Sequence, residues 1–120
     1  MRWLLHGPMS ASVGDALRRH EHTAVDLVTA GLPPAADPMT VLDAARKGQL
    51  DIVTTDDALV LAATKAKPLK RSVVYLQLEG QDVEQDDAID RLFTRYKRLT
   101  PNRLYTVTEN RVKVRQLPGA

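Results

Sequence analysis

Short apolar runs and helical stretches alternate from one end of this chain to the other, and that alternation restricts the fold more than any other feature. Arg2-Trp3-Leu4-Leu5 reads as a short buried strand, stopped by Gly7-Pro8. Met9, Val13, Ala16, Leu17 and His20 recur at helical spacing, which predicts a helix over roughly residues 9–20. The stretch from Thr23 to Val28 is strand-like, and Gly31-Leu32-Pro33-Pro34 is loop because paired prolines remove two donors. Asp37-Pro38 opens the next helix as N-cap and first-turn proline, and Gly48 is its expected C′ stop. Leu50 to Thr54 is a strand, and Thr55-Asp56-Asp57 caps a helix carrying Leu59, Val60 and Ala63. Ser72 to Leu78 is the clearest strand. From Val83 to Leu99, Ala88, Ile89, Leu92, Phe93, Tyr96 and Leu99 mark an amphipathic helix, acidic in its first half and basic in its second. Two period-two runs around Glu109-Asn110 form a terminal hairpin, with Asn110 placed to accept a positive φ.

The order β-α-β-α-β-α-β-α-β-β implies an α/β fold: a mainly parallel sheet in a three-layer α/β/α arrangement, edged by a C-terminal antiparallel hairpin. At 120 residues, 43% hydrophobic and 27% charged, the chain suits one core; residues 1–117 form the domain and 118–120 a disordered tail. Cysteine is absent, which excludes disulfides and Cys-ligated zinc. No apolar run approaches the length of about 18 residues that a membrane span needs. The N-terminal apolar run is too short for a signal peptide, so a cytoplasmic protein is expected.

Ligands of such sheets bind outside the carboxyl ends of the strands. Asp56 and Asp57 follow the third strand, and Asp37 opens a different helix. Carboxylates converging from separate elements build Mg²⁺ or Mn²⁺ sites; helix capping explains the same acids without a metal. His6, at the end of the first strand, has three readings: a ligand beside Asp37 and Asp56, a general base, or a hydrogen-bonded strand-end residue. His20 and His22 read as a solvated turn at a helix end. Lys65, Lys67, Lys70 and Arg71, and then Arg91, Arg95, Lys97, Arg98 and Arg103, are basic clusters that suit either a phosphate backbone or a solvated face. Trp3 and Tyr75 are expected in the core. There is no Gly-rich phosphate loop and no nucleophile elbow. The apolar helix face with Phe93 and Tyr96 suggests self-association.

Met1-Arg2-Trp3-Leu4-Leu5, the helix with Ala16-Leu17-Arg18, Asp37 before a helix, and Asp51-Ile52-Val53-Thr54-Thr55-Asp56 together resemble the short PIN-like domains, relatives of VapC-type toxin ribonucleases. The resemblance spans residues 1–117. It implies a metal-dependent endoribonuclease of toxin–antitoxin type, with Asp37, Asp56 and His6 as catalytic residues and Asp37, Asp56 and Asp57 holding Mg²⁺ or Mn²⁺. It further implies RNA as substrate, an antitoxin-like protein partner and a homodimer. The sequence departs from the family pattern in two places. His6 stands where an acid ends the first strand, and Ala58 stands where a further acid follows Asp56. Fewer anionic oxygens mean a weaker hard-cation site, hence weak or absent activity. The alternative is a catalytically inactive module that binds nucleic acid or protein.

Overall fold

The structure is a computed structural model that describes residues 1–7, 9, 11–33, 35–65, 69–78 and 83–117. Its elements are β1 (Arg2–His6), α1 (Ala11–Arg19), β2 (Thr23–Val25), α2 (Pro38–Gly48), β3 (Asp51–Thr54), α3 (Asp57–Lys65), β4 (Val73–Leu76), α4 (Val83–Arg95), β5 (Arg103–Val107) and β6 (Val112–Gln116). One six-stranded sheet runs β2-β1-β3-β4-β5-β6; β1 to β5 are parallel, and β6 is antiparallel to β5. The expected alternation, the parallel sheet and the terminal hairpin are all present. The expected tail 118–120 lies outside the described residues, as does Lys67 of the first basic cluster. Among the described residues no helix is long and apolar enough to cross a membrane.

Alternate strand residues feed two cores. Trp3, Val53, Val74, Tyr105 and Val107 join Val13, Ala16 and Leu17 of α1 and Ala88, Ile89, Leu92 and Phe93 of α4. Leu4, Ile52, Val73 and Leu104 join Val41, Leu42 and Ala45 of α2 and Leu59 and Ala63 of α3. The alternation follows from the period of a strand, whose successive side chains point to opposite faces. Phe93 is buried against Trp3, His20 and His22, and Tyr96 meets Tyr105 edge-on. The apolar face that suggested self-association is therefore used inside the chain. The two histidines are not a solvated turn either: Trp3 Nε1–H donates to His22 Nδ1 at 2.9 Å, and His20 Nε2 lies 2.9 Å from Asp90 Oδ1.

One crossover differs in hand from the rest. Going from β3 to β4 and from β4 to β5, the chain moves the same way across the sheet, yet α3 and α4 pack on opposite faces. The crossover through α2 moves as α3 does and packs on the same face. The one through α1 moves the other way and packs on the other face. Those three share a hand, so β4–α4–β5 is opposite to them, an arrangement rare among parallel crossovers. As a result β5 and β6 carry no helix of their own on the α2/α3 face, and Lys113 and Arg115 stand exposed there in register with Thr106 and Leu104.

Among the described residues, each helix-to-strand connection holds one non-glycine residue at positive φ: Glu21 (66°), Gln49 (56°), Lys70 (60°) and Asn102 (63°). After α1 the ending is a Schellman pair, His22 N–H donating to Leu17 O and Glu21 N–H to Arg18 O; after α2, Gln49 N–H makes the αL-type bond to Ala45 O, which Leu50 N–H also reaches. Gly48 is thus the last helical residue, and the left-handed C′ position falls one residue later, on Gln49. That shift lets Leu50 turn into the core against Ala45. The hairpin also departs from expectation. Asn110 has no positive φ, because the loop 108–111 is closed by Thr108: its N–H donates to Arg111 O, and its Oγ1 accepts from Arg111 N–H. Strand β2 stops at Val25, where Asp26 Oδ1 accepts from Thr29 N–H and starts a turn. Helix α4 stops at Arg95, short of Leu99, which is buried on the way into β5.

A side chain at left-handed φ costs about 1 kcal/mol against glycine. Gln49→Gly, at an exposed site, is expected to raise the melting temperature by about 4 °C. Calorimetric melting of the variant checks this; an unchanged or lower value contradicts it.

Candidate functional site

The sheet reverses its direction of growth between β1 and β3, and in open α/β sheets the crevice at the carboxyl ends of such a pair is the usual ligand position. A polar row crosses the sheet there. His6 pairs in register with Thr54, Thr54 with Tyr75, Tyr75 with Thr106, and Thr106 with Lys113. All fall on the α2/α3 face, because each lies two residues beyond Leu4, Ile52, Val73 or Leu104 or pairs with one that does. The sequence carries the signal for this row: on this face β1, β3, β4 and β5 each turn from apolar to polar at the same level. Reading strands one at a time missed Thr54 and Tyr75.

His6 is 7% exposed, and its Nδ1 lies 2.8 Å from Thr54 Oγ1. That oxygen also accepts Asp56 N–H at 3.0 Å. The Thr54 hydroxyl, with one proton and two lone pairs, serves His6 Nδ1 as donor or acceptor according to the tautomer of the ring. Burial pushes the His6 pKa below its ordinary value, against the pull of the Asp56 carboxylate. Gly7, at φ +90°, lets β1 pass close over Thr55; a Cβ there would sit 2.5 Å from Thr55 Oγ1. Tyr75 is half-buried, and burial together with the charges of Asp57 and Asp56 pushes its hydroxyl pKa up. Burial thus favours the neutral forms of His6 and Tyr75, and the row offers hydrogen bonds across the sheet.

The acids are occupied locally. Asp37 is the N-cap of α2: Oδ1 accepts Thr40 N–H at 2.8 Å, and that backbone bond holds the exposed carboxyl below its ordinary range. Asp56 caps α3, its Oδ1 accepting Ala58 N–H at 2.9 Å and its carbonyl accepting Val60 N–H. Asp57 is exposed in the first turn of α3. Among the described residues no three His, Asp or Glu side chains are gathered closely enough to hold a metal ion. The expected convergence is thus met only in part. His6 and Asp56 are neighbours, but His6, Asp37, Asp56 and Asp57 do not form one metal centre. Capping engages one carboxylate oxygen of each, Oδ1 of Asp37 and Oδ1 of Asp56.

His6 and His22 set a pH dependence. Burial lowers both pKa values from 6.5, and the indole N–H, which can only donate, requires an unprotonated His22 Nδ1. The unfolded chain therefore binds more protons just below pH 6.5. Stability is complete above that value and falls as the pH drops toward the folded-state values. Melting temperatures are expected to decline from about pH 7 to about pH 5. His22→Gln, which keeps an acceptor for the indole, should flatten part of that decline. A flat or rising profile for the wild type contradicts both neutral assignments. Compared with protein-family models, with curated proteins and with solved structures, the chain matches none.

Proposed function

We propose that this chain is a PIN-like domain whose metal-dependent ribonuclease site has been lost, and that it acts in the cytoplasm by binding nucleic acid. The observation that carries this reading is the state of the strand-end row. His6, in the place of the first acid of the family pattern, is buried and hydrogen-bonded to Thr54, while Asp37 and Asp56 are engaged by Thr40 and Ala58 amides. Helix pairs on opposite sheet faces support the three-layer PIN-like arrangement. A hard cation wants several anionic oxygens at once, and no three His, Asp or Glu side chains are gathered among the described residues. The toxin–antitoxin setting, the antitoxin-like partner and self-association belong to the same resemblance. They accompany this reading as parts of the proposal.

The test separates capping from catalysis. Asp37→Ala and Asp56→Ala should each cost about 1 kcal/mol of stability, the ordinary value of an N-cap, as measured by denaturant unfolding. Neither should alter the response of the melting temperature to Mn²⁺, and the wild type should leave single-stranded RNA intact with Mn²⁺ present. Mn²⁺-dependent cleavage that Asp56→Ala abolishes would restore the ribonuclease reading.

A further inference from the structure

The opposite edge of the sheet, where the strands begin, holds a cavity of about 480 Å³. It is lined by Met1 and from three connections: His20, Glu21 and His22 between α1 and β2, Arg71 before β4, and Lys97, Arg98, Leu99 and Pro101 between α4 and β5. Its floor includes Asp51, the first residue of β3, which is 1% exposed. Both carboxylate oxygens of Asp51 are taken: Oδ1 by Ser72 N–H at 2.8 Å and Oδ2 by Arg71 Nη2 at 3.2 Å. The buried acid thus anchors Arg71 and is neutralised by it, although burial still pushes its pKa up.

The balance of charge over the cavity is cationic. Lys97 and Arg98 are exposed, and among the described residues neither is ion-paired. Glu21 is the acid left to oppose them. Basic residues in the last turn of a helix are ordinary partners of the macrodipole. Lys97 and Arg98 directly follow the end of α4 at Arg95, where the Tyr96 N–H still bonds Leu92 O, so the dipole favours them as well. Arg71, which comes from a different connection, spends one donor on Asp51, and its Nε–H has no acceptor among the described residues. Leu99 and Pro101 add an apolar wall.

We propose that this cavity binds a phosphate group through Arg71, Lys97 and Arg98. Guanidinium and ammonium donors give strong charge-assisted bonds to phosphate oxygens, and the apolar wall suits the sugar or base attached to them. The phosphate belongs either to a free nucleotide or to an RNA backbone. The proposal deepens the binding reading above by naming its ligand chemistry and place, and only the RNA source rests on that reading. It sets the ligand on the basic edge, away from the strand-end row with its acids.

Trp3 gives a direct readout. It is the sole tryptophan, and it donates to His22, which lines the cavity. Trp3 fluorescence is titrated with pyrophosphate, ADP and a short single-stranded RNA. The wild type is compared with Lys97→Gln/Arg98→Gln, whose exposed positions leave the fold intact, and with Lys113→Gln/Arg115→Gln, which removes the same charge from β6. Arg71→Lys is read with its melting temperature, because Asp51 needs a cation there. Binding of pyrophosphate or ADP that the Lys97/Arg98 variant weakens about tenfold, and the β6 variant by less than about twofold, is the expected result. If RNA binds with the same sensitivity, the phosphate is that of the backbone. If pyrophosphate or ADP binds and RNA does not, the cavity stands as a nucleotide site and the nucleic-acid reading falls. RNA binding that both variants weaken alike overturns the cavity and leaves that reading in place. No response to any of the three ligands overturns the proposal.

Discussion

Parallel strand pairing is the constraint from which the rest of this molecule follows. Two parallel neighbours cannot be joined by a tight turn, so each of β1 to β4 is followed by a crossover through a helix. All four helices then start near one edge of the sheet and end near the other. Helix N-termini favour acids and C-termini favour bases. Asp37, Asp56, Asp57 and the acidic first turn of α4 accordingly gather where the strands end. Arg18, Lys47, Lys65 and Arg95 gather where they begin, while Arg19 reaches across to pair with Asp86 and Asp90 of α4. A chain of net charge +2 becomes polarised from edge to edge without any ligand having selected the pattern.

That polarity explains why acids at strand ends are ambiguous. A cap and a metal ligand ask for the same residue at the same place, and they differ only in what the second oxygen faces. Here the capping bonds of Asp37 and Asp56 are formed, and His6 is locked to Thr54. On the basic edge the distinction runs the other way. Lys97 and Arg98 follow the end of α4, neither is ion-paired among the described residues, and they share a cavity with Arg71, which comes from another connection.

The element order was legible because it rests on local patterns. Periodicity, Pro38 after Asp37, and the β-branched run before Tyr75 each act within a few residues. The hand of the β4–α4–β5 crossover was not, because no local pattern encodes which face a helix takes. Gly48 marked the end of α2 to within one residue, but the need to bury Leu50 moved the left-handed position onto Gln49. For the site, the residues were readable and their association was not. Asp56 beside His6 was found from the sequence, whereas Thr54 and Tyr75 emerged only with the strand register. Asp51 carried a signal that was passed over: an acid inside the apolar run from Leu50 to Val53 has to be buried and paired.

The division of labour between the two edges is tested most directly by mapping backbone amide shifts in an NMR titration with a short single-stranded RNA. Shifts concentrated at Glu21, Arg71, Lys97 and Arg98, with Gly7, Asp56 and Ala58 unmoved, are the predicted result. Shifts concentrated at Gly7 and Asp56 to Ala58 would contradict it, placing the ligand on the acidic edge and returning the strand-end row to the role of a nuclease site.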